Sequence, residues 1–253
     1  MSNWIINILS VSGKYSLKDI MKDISIGSYD NEDITISFNK IIPQPEKLNV
    51  ISGITRDYAI SAYYSSCDCL EKEEIEKLLY NYNKTHYLDR IKYDLPFNDC
   101  ITEKELTKAG CATIEEYGKR YIENIEKYGC PDWHEWRMEV WGTKWGADSV
   151  SYSPYSDGNN TIIFITANTT PMGIIKALSI KYPDTVFTVI FADEDYGYNL
   201  GKYSCCNGEL IKDFFPEPNS IEALNIAGEV LGPCEVPEHE WNDKLQSYVK
   251  KEK

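Results

Sequence analysis

The chain contains no C-x-x-C pair, only three histidines, and none of the short motifs that carry common chemistry. There is no G-x-G-x-x-G, no G-x-x-x-x-G-K-[ST], no H-E-x-x-H and no G-x-S-x-G. Dinucleotide-binding, phosphate-loop, zinc-protease and serine-hydrolase readings therefore have no footing. No apolar run approaches the roughly 20 residues needed to cross a bilayer. Internal repeats, linkers and low-complexity runs are also missing. Positive charge is scarce: 26 Lys and Arg face 40 Asp and Glu, a net charge of -14. Such a chain repels phosphate backbones and anionic membranes, so neither nucleic acid nor membrane is expected as a direct partner.

What is present suits a folded protein. The 253 residues are 42% hydrophobic and 13% aromatic, with 19 tyrosines, far from the composition of a disordered chain. A chain this long buries roughly 70 to 75% of its unfolded surface, so a core forms without covalent staples. Met1 to Gly13 has no basic leader, and Asn7 and Ser10 interrupt its apolar run, which points to a cytoplasmic protein. The eight cysteines (Cys67, Cys69, Cys100, Cys111, Cys130, Cys205, Cys206, Cys234) are irregularly spaced and read as free thiols in a reducing compartment.

Periodicity predicts an α+β fold. Trp4 to Val11 reads as a strand. Ser16 caps a helix with Leu17, Ile20, Met21 and Ile24 on one side, and Ile34, Ile36 and Phe38 then alternate as a second strand. Helices follow at Glu71 to Lys84 and, between a Thr113/Glu116 capping box and Gly129, across Tyr117, Tyr121 and Ile125. Thr161 to Ala167 and Val186 to Ala192 are apolar on both faces, as central strands are. Between them Thr170 is expected to cap a helix that Pro171 opens and Pro183 ends. Tyr198 to Cys206 adds a strand by hairpin, and Ser220 caps a last helix closed by Gly232. Two β-α-β units of this kind define a ferredoxin-like, split β-α-β antiparallel sheet, with a helical insertion between the two halves. The expected organisation is a single domain over 1-253. Its core comes from about 1-45 and 148-206, its helical insertion spans about 55-130, and an acidic helix and tail occupy 207-253.

Several stretches look familiar. The opening Met1-Ser2-Asn3-Trp4 with Asn7 and Gly13, the block Trp141-Gly142-Thr143-Lys144-Trp145, and the run from Thr166-Ala167 through Pro171 to Leu178-Ser179 and Tyr182-Pro183 resemble the YubB-like ferredoxin-like family of phage and conjugative plasmid proteins. Gly146 and Asn168 depart from that pattern, as in a distant member. The resemblance covers residues 1 to about 45 and 131 to about 205. It implies the fold and a mobile-element origin, and it brings no catalytic residues.

Two features stand out as candidate partner-binding sites. From Tyr182 to Lys244 thirteen carboxylates face three lysines, a local charge of -10 that includes Asp193, Glu194, Asp195, Glu238 and Glu240. Such a segment attracts a basic surface over a screening distance of about 8 Å. The second feature is Trp133, Trp136, Trp141 and Trp145, set among His134, Arg137 and Lys144, either a recognition platform or rings that pack the insertion.

Other chemistry has weaker support. The Asp193-Glu194-Asp195 turn offers oxygen ligands or a general base, but is more often a solvated turn. Cys130 and His134, together with Cys67 and Cys69, have residue types suited to zinc but draw on distant segments. Cys205 or Cys206 as nucleophile would need His86, His134 or His239 as base. No metal, cofactor or catalytic residue is assigned.

Three functions remain open on this reading. The first is a non-enzymatic, phage- or plasmid-borne accessory protein, acting as an anti-CRISPR-like inhibitor or on another nucleic-acid-binding system, with the basic surface of a host or defence complex as partner. The second is a metal-dependent hydrolase using the acidic turn. The third is a self-associating virion or plasmid-maintenance protein, a homo-oligomer.

Overall fold

The computed structural model describes residues 3-27, 34-83, 101-151 and 161-251. The chain divides into two compact units, one formed by 1-43 and 139-253, the other by 44-138. The segment expected as an insertion over 55-130 within one domain is thus a compact unit in its own right, and it begins earlier and ends later.

In the first unit a six-stranded sheet has β1 (Trp4–Gly13) at its centre. Antiparallel neighbours flank it: β5 (Thr161–Ala167) on one side and β6 (Thr185–Asp193) on the other. The helix α8 (Met172–Lys181) joins β5 to β6, so this β-α-β straddles β1. The edge beyond β5 is β4 (Asp148–Ser151), which makes the inner order β4-β5-β1-β6. That order is the ferredoxin-like arrangement, two split β-α-β units interleaved in one antiparallel sheet. On the far side β7 (Gly201–Cys206) and β8 (Glu209–Phe214) extend the sheet.

The helix α1 (Leu17–Ile24) forms as expected: the Ser16 hydroxyl accepts from the Asp19 amide, and Leu17, Ile20, Met21 and Ile24 are all buried. Ile34 to Asn39 does not continue as a sheet strand. Only β3 (Thr35–Ile36) is extended; it pairs with β2 (Ser25–Ile26) in a separate ribbon, and Phe38 opens the short helix α2 (Phe38–Ile41). The second strand of the first β-α-β is β4 instead, a short polar segment. The Thr170 hydroxyl does not cap α8; it lies 3.0 Å from the Tyr203 hydroxyl, and Pro171 takes the cap position.

Residues 207-253 are more than a helix and tail. Besides β8 they form α9 (Ile221–Leu231), capped by the Ser220 hydroxyl, and the hairpin β9 (His239–Asn242) with β10 (Ser247–Lys250). Tyr248 pins the hairpin. Its hydroxyl accepts from the Cys234 amide, donates to the Cys234 carbonyl and lies 2.7 Å from the Tyr196 hydroxyl. Gly228 of α9 leaves room for the Trp241 ring, which a Cβ there would meet at 2.7 Å.

One sheet face carries Ile5, Leu9, Val11, Ile162, Phe164, Phe187, Val189 and Tyr203, all buried. The other is only partly covered. Across it Ile6 stands opposite Ile165 and Ala192, Ile8 opposite Ile163 and Ile190, and Ser10 opposite Thr161 and Thr188. The helix α9 packs over the Ile190 and Ala192 end of this second face, and Ile163 remains 40% exposed.

The second unit is helical: α3 (Ile54–Ser66), α4 (Cys69–Asn83), α5 (Glu103–Ala109), α6 (Ile114–Tyr128) and most of α7 (Trp133–Val140). Its core joins Ala59, Ile60, Ile75, Leu79, Tyr117, Tyr121 and Ile125. The helices α3 and α6 touch at Gly118, where a Cβ would stand 1.9 Å from the Ala59 carbonyl oxygen. The Thr113 hydroxyl caps α6 by accepting from the Glu116 amide, while Glu116 reaches past Thr113 to the Ala112 amide. Asp132, fully buried, caps α7 through the His134 and Glu135 amides and pairs with Arg56 at 2.9 Å.

Candidate interaction surface

The acidic turn at the end of β6 does not present three carboxylates together. Asp193 is 3% exposed. It accepts hydrogen bonds from the Asn199 side-chain amide at 2.7 Å, the Asp195 backbone amide at 3.0 Å and the Asn3 side-chain amide at 3.1 Å. The same Asn3 amide reaches Asp195 at 3.2 Å, so neutral donors occupy the space between the two carboxylates. Asp193 is therefore a structural anchor for the start of β1 rather than part of a binding face. Among the described residues no group of three or more His, Cys, Asp or Glu is arranged to hold a metal ion.

The rest of the acidic segment faces water. Of the thirteen carboxylates between Tyr182 and Lys244 all but Asp193 are exposed, Glu194, Asp195, Glu238 and Glu240 included. Among the described residues no lysine or arginine is ion-paired with any of them, whereas elsewhere Lys22 pairs with Asp19, Lys181 with Asp23, and Arg56 with Asp57, Asp132 and Glu135.

The four tryptophans are divided between the two units. Trp133 and Trp136 belong to the helical unit, where Arg137 lies over the Trp133 ring at 4.9 Å and Trp136 is buried. Trp141 is buried in the sheet-bearing unit, edge-on to Phe38, and donates its indole N–H to the Ile42 carbonyl at 3.0 Å. Only Trp145 stands out on the surface, 38% exposed. It packs against Trp4, itself 39% exposed, with ring centroids 5.9 Å apart and planes tilted by 37°.

That Trp4–Trp145 pair was not legible in the sequence, because its members lie at opposite ends of the sheet-forming segments. The available signal was the phase of β1, which puts Trp4 on the same side as Ile6 and Ile8. Beside the pair runs a groove of about 340 Å³ lined by Trp4, Ile6, Ile165, Leu231, Ser149 and the carboxylates Asp148 and Glu194. Glu194 also accepts from the Trp4 backbone amide at 3.3 Å, and Lys144 lies 4.7 Å from the centre of the Trp145 ring.

Among the described residues no three of Cys67, Cys69, Cys130 and His134 come together as metal ligands. Cys67 donates to the Tyr63 carbonyl, Cys69 is exposed, Cys130 is buried and His134 meets Trp133 edge-on. Burial pushes the Cys205 thiol pKa up, the opposite of an activated nucleophile, with Lys176 opposing in part. His239 bonds locally to the Pro237 carbonyl, and Cys100 and His86 lie outside the described residues. No cysteine among the described residues is in a disulfide. No helix among the described residues is long and apolar enough to cross a membrane.

The match to a family model agrees with the fold. Residues 140-233 match the family model described as a ferredoxin-like domain in Api92-like protein. The match spans β4 to β8, both helices α8 and α9, and the Trp141 to Trp145 block. A solved structure with some similarity is that of the protein Api92 from Yersinia pseudotuberculosis, at a TM-score of 0.39 and 11% identity over 87% of this chain and 100% of that one. No curated protein matches the sequence. The protein is thus an α+β protein with a ferredoxin-like domain.

Proposed function

We propose that this chain is a non-enzymatic binding protein whose acidic C-terminal surface engages a basic protein surface. One observation carries the reading: from Tyr182 to Lys244 every carboxylate except Asp193 is exposed, and among the described residues none is neutralised by a lysine or arginine of the same chain. Charges left unpaired and solvated steer a cationic partner and accelerate its association, with a strong dependence on salt. In its most specific form the reading draws on the resemblance to phage and plasmid proteins. There the protein is a cytoplasmic accessory of a mobile element, and its partner is a nucleic-acid-binding defence complex whose phosphate groove the carboxylates occupy.

The test is a pull-down from a host lysate at low and at physiological salt, with the parent chain and a variant carrying Glu194→Gln, Asp195→Asn, Glu238→Gln and Glu240→Gln. Asp193 is left intact because it anchors β1. Recovery of a discrete basic partner that the variant loses, with capture weakening as salt rises, supports the proposal. Equal capture by both proteins, or capture insensitive to salt, refutes it.

A further inference from the structure

The open end of the sheet offers a specific receptor within this acidic surface. Trp4 and Trp145 each leave more than a third of their area in water, and their planes diverge by 37° instead of stacking flat. Ring faces are therefore accessible. Such faces carry negative quadrupole potential and attract cations, tryptophan most strongly. Lys144 already sits 4.7 Å from the Trp145 centroid, so one of these rings holds a cation within the chain itself. The groove beside them has a floor of Ile6, Ile165 and Leu231 and a rim with two carboxylates, Asp148 and Glu194, and among the described residues no basic side chain lines it.

We propose that this groove receives a single lysine or arginine side chain from a basic protein partner. The aliphatic stem lies along Ile6, Ile165 and Leu231, as long cationic side chains cover apolar surface with their methylenes. The charged head meets the Trp4 ring and the carboxylates of Glu194 and Asp148. Charge complementarity selects the occupant: an apolar peptide leaves both carboxylates without a counter-charge, and an acidic one is repelled by them. The inference rests on the acidic-surface reading for the partner's sign of charge, but it assigns the contact to aromatic and apolar groups that a diffuse acidic field does not need.

The experiment uses the full chain and a short peptide alternating arginine and glycine, followed by calorimetry and by the indole N–H signals of the six tryptophans in an NMR spectrum. Binding is expected to shift the Trp4 and Trp145 indoles selectively. Trp4→Ala removes the ring that the charged head meets and is expected to weaken the peptide about three- to thirty-fold, the range of a partly desolvated cation–aromatic contact. Glu194→Gln keeps the acceptor for the Trp4 amide, removes only charge, and is expected to weaken binding about two- to five-fold. It keeps the test decisive if Trp4→Ala fails to fold. A third variant neutralises Glu235, Glu238 and Glu240, away from the groove.

If the peptide binds and weakens only in that third variant, the groove is refuted and the acidic surface survives. If it weakens only with Trp4→Ala and Glu194→Gln, the groove stands and the broader acidic reading falls. No binding to the parent chain at low salt overturns both.

Discussion

Gly118 offers a test in which two opposing effects predict opposite signs. Replacing it with alanine in the middle of α6 should favour the helix by about 1 kcal/mol on intrinsic propensity alone. Packing opposes this. The new methyl would stand 1.9 Å from the Ala59 oxygen, 2.6 Å from the Ala59 carbonyl carbon and 2.7 Å from the Tyr63 Cβ, whereas ordinary contact begins at 3.4 Å. Two of the three obstacles are backbone atoms of α3, which cannot rotate away. The helices must separate at a point where Ala59, Ile60, Tyr117 and Tyr121 are all at most 1% exposed, which loosens the unit's core. Overpacking of this kind costs about 1–3 kcal/mol, and a backbone obstacle places it at the upper end.

The net expectation for Gly118→Ala is a loss of about 1–2 kcal/mol, equivalent to about 4–8 °C in Tm per kcal/mol for a unit of this size. Urea and thermal melts followed by circular dichroism measure it, and hydrogen exchange on α3 and α6 places it. Gly146→Ala is the control: nothing lies within 4 Å of a Cβ there, so it should change stability by less than about 0.5 kcal/mol. A Gly118→Ala protein as stable as its parent, or more stable, would show that α3 and α6 do not touch as described.

Three further outcomes are expected. Tyr248→Phe removes the hydroxyl shared by Cys234 and Tyr196 and should cost about 1–3 kcal/mol, with faster exchange of the Cys234 amide; unchanged protection there would refute the anchor. Asn7→Leu removes a buried side-chain N–H group that donates to Thr166 Oγ1 at 2.9 Å and to the Ile5 carbonyl at 3.1 Å, although the oxygen of the same amide has no partner among the described residues. Leaving the Thr166 hydroxyl without its donor should cost about 1–3 kcal/mol, and unchanged stability on denaturant melting would refute the role of the amide. Tyr63 and Tyr64 are pushed up to about 12, Tyr63 chiefly by burial and Tyr64 chiefly by its bond to Glu76, and burial raises Tyr121 and Tyr203 further. A tyrosine with a raised folded pKa contributes stability that is complete below its unfolded pKa of about 10 and is lost as pH rises toward the folded value. Stability should therefore fall from pH 10 upward, and the share of tyrosinate absorbance that belongs to the buried Tyr121 and Tyr203 should appear only with unfolding.

Which elements the sequence revealed follows from how each is stabilised. Strands β5 and β6 and the caps at Ser16, Thr113 and Ser220 were legible because their signals are local: unbroken apolar runs and hydroxyls one step ahead of a helix. The helix α3 was not, because its buried side is Asp57, Ala59, Ile60 and Ser61, small and polar residues selected by the close approach of Gly118 and by the Arg56 cluster. The alternation at Ile34 to Phe38 was real but satisfied locally, and the edge strand that took its place, Asp148–Ser151, is short, polar and irregular in register. At the surface, exposure of the acidic segment matched its composition. The burial of Asp193 did not, since its donors Asn3 and Asn199 carry no sequence mark of their role. The Trp4–Trp145 pair depends on strand order, which periodicity does not encode.

The hydrogen bond from Trp141 to Ile42 joins the two points where the chain leaves the sheet-bearing unit and returns to it, across 99 positions of sequence. A ribosome delivers β1 first, yet its partners β5 and β6 emerge only after the helical segment has been made. If that segment folds while it waits, a knot at its base turns a long loop into a short one, and the entropy of bringing β1 home shrinks accordingly. The same knot makes residues 44-138 a removable guest: a chain spliced directly across the Trp141–Ile42 contact should still assemble its sheet.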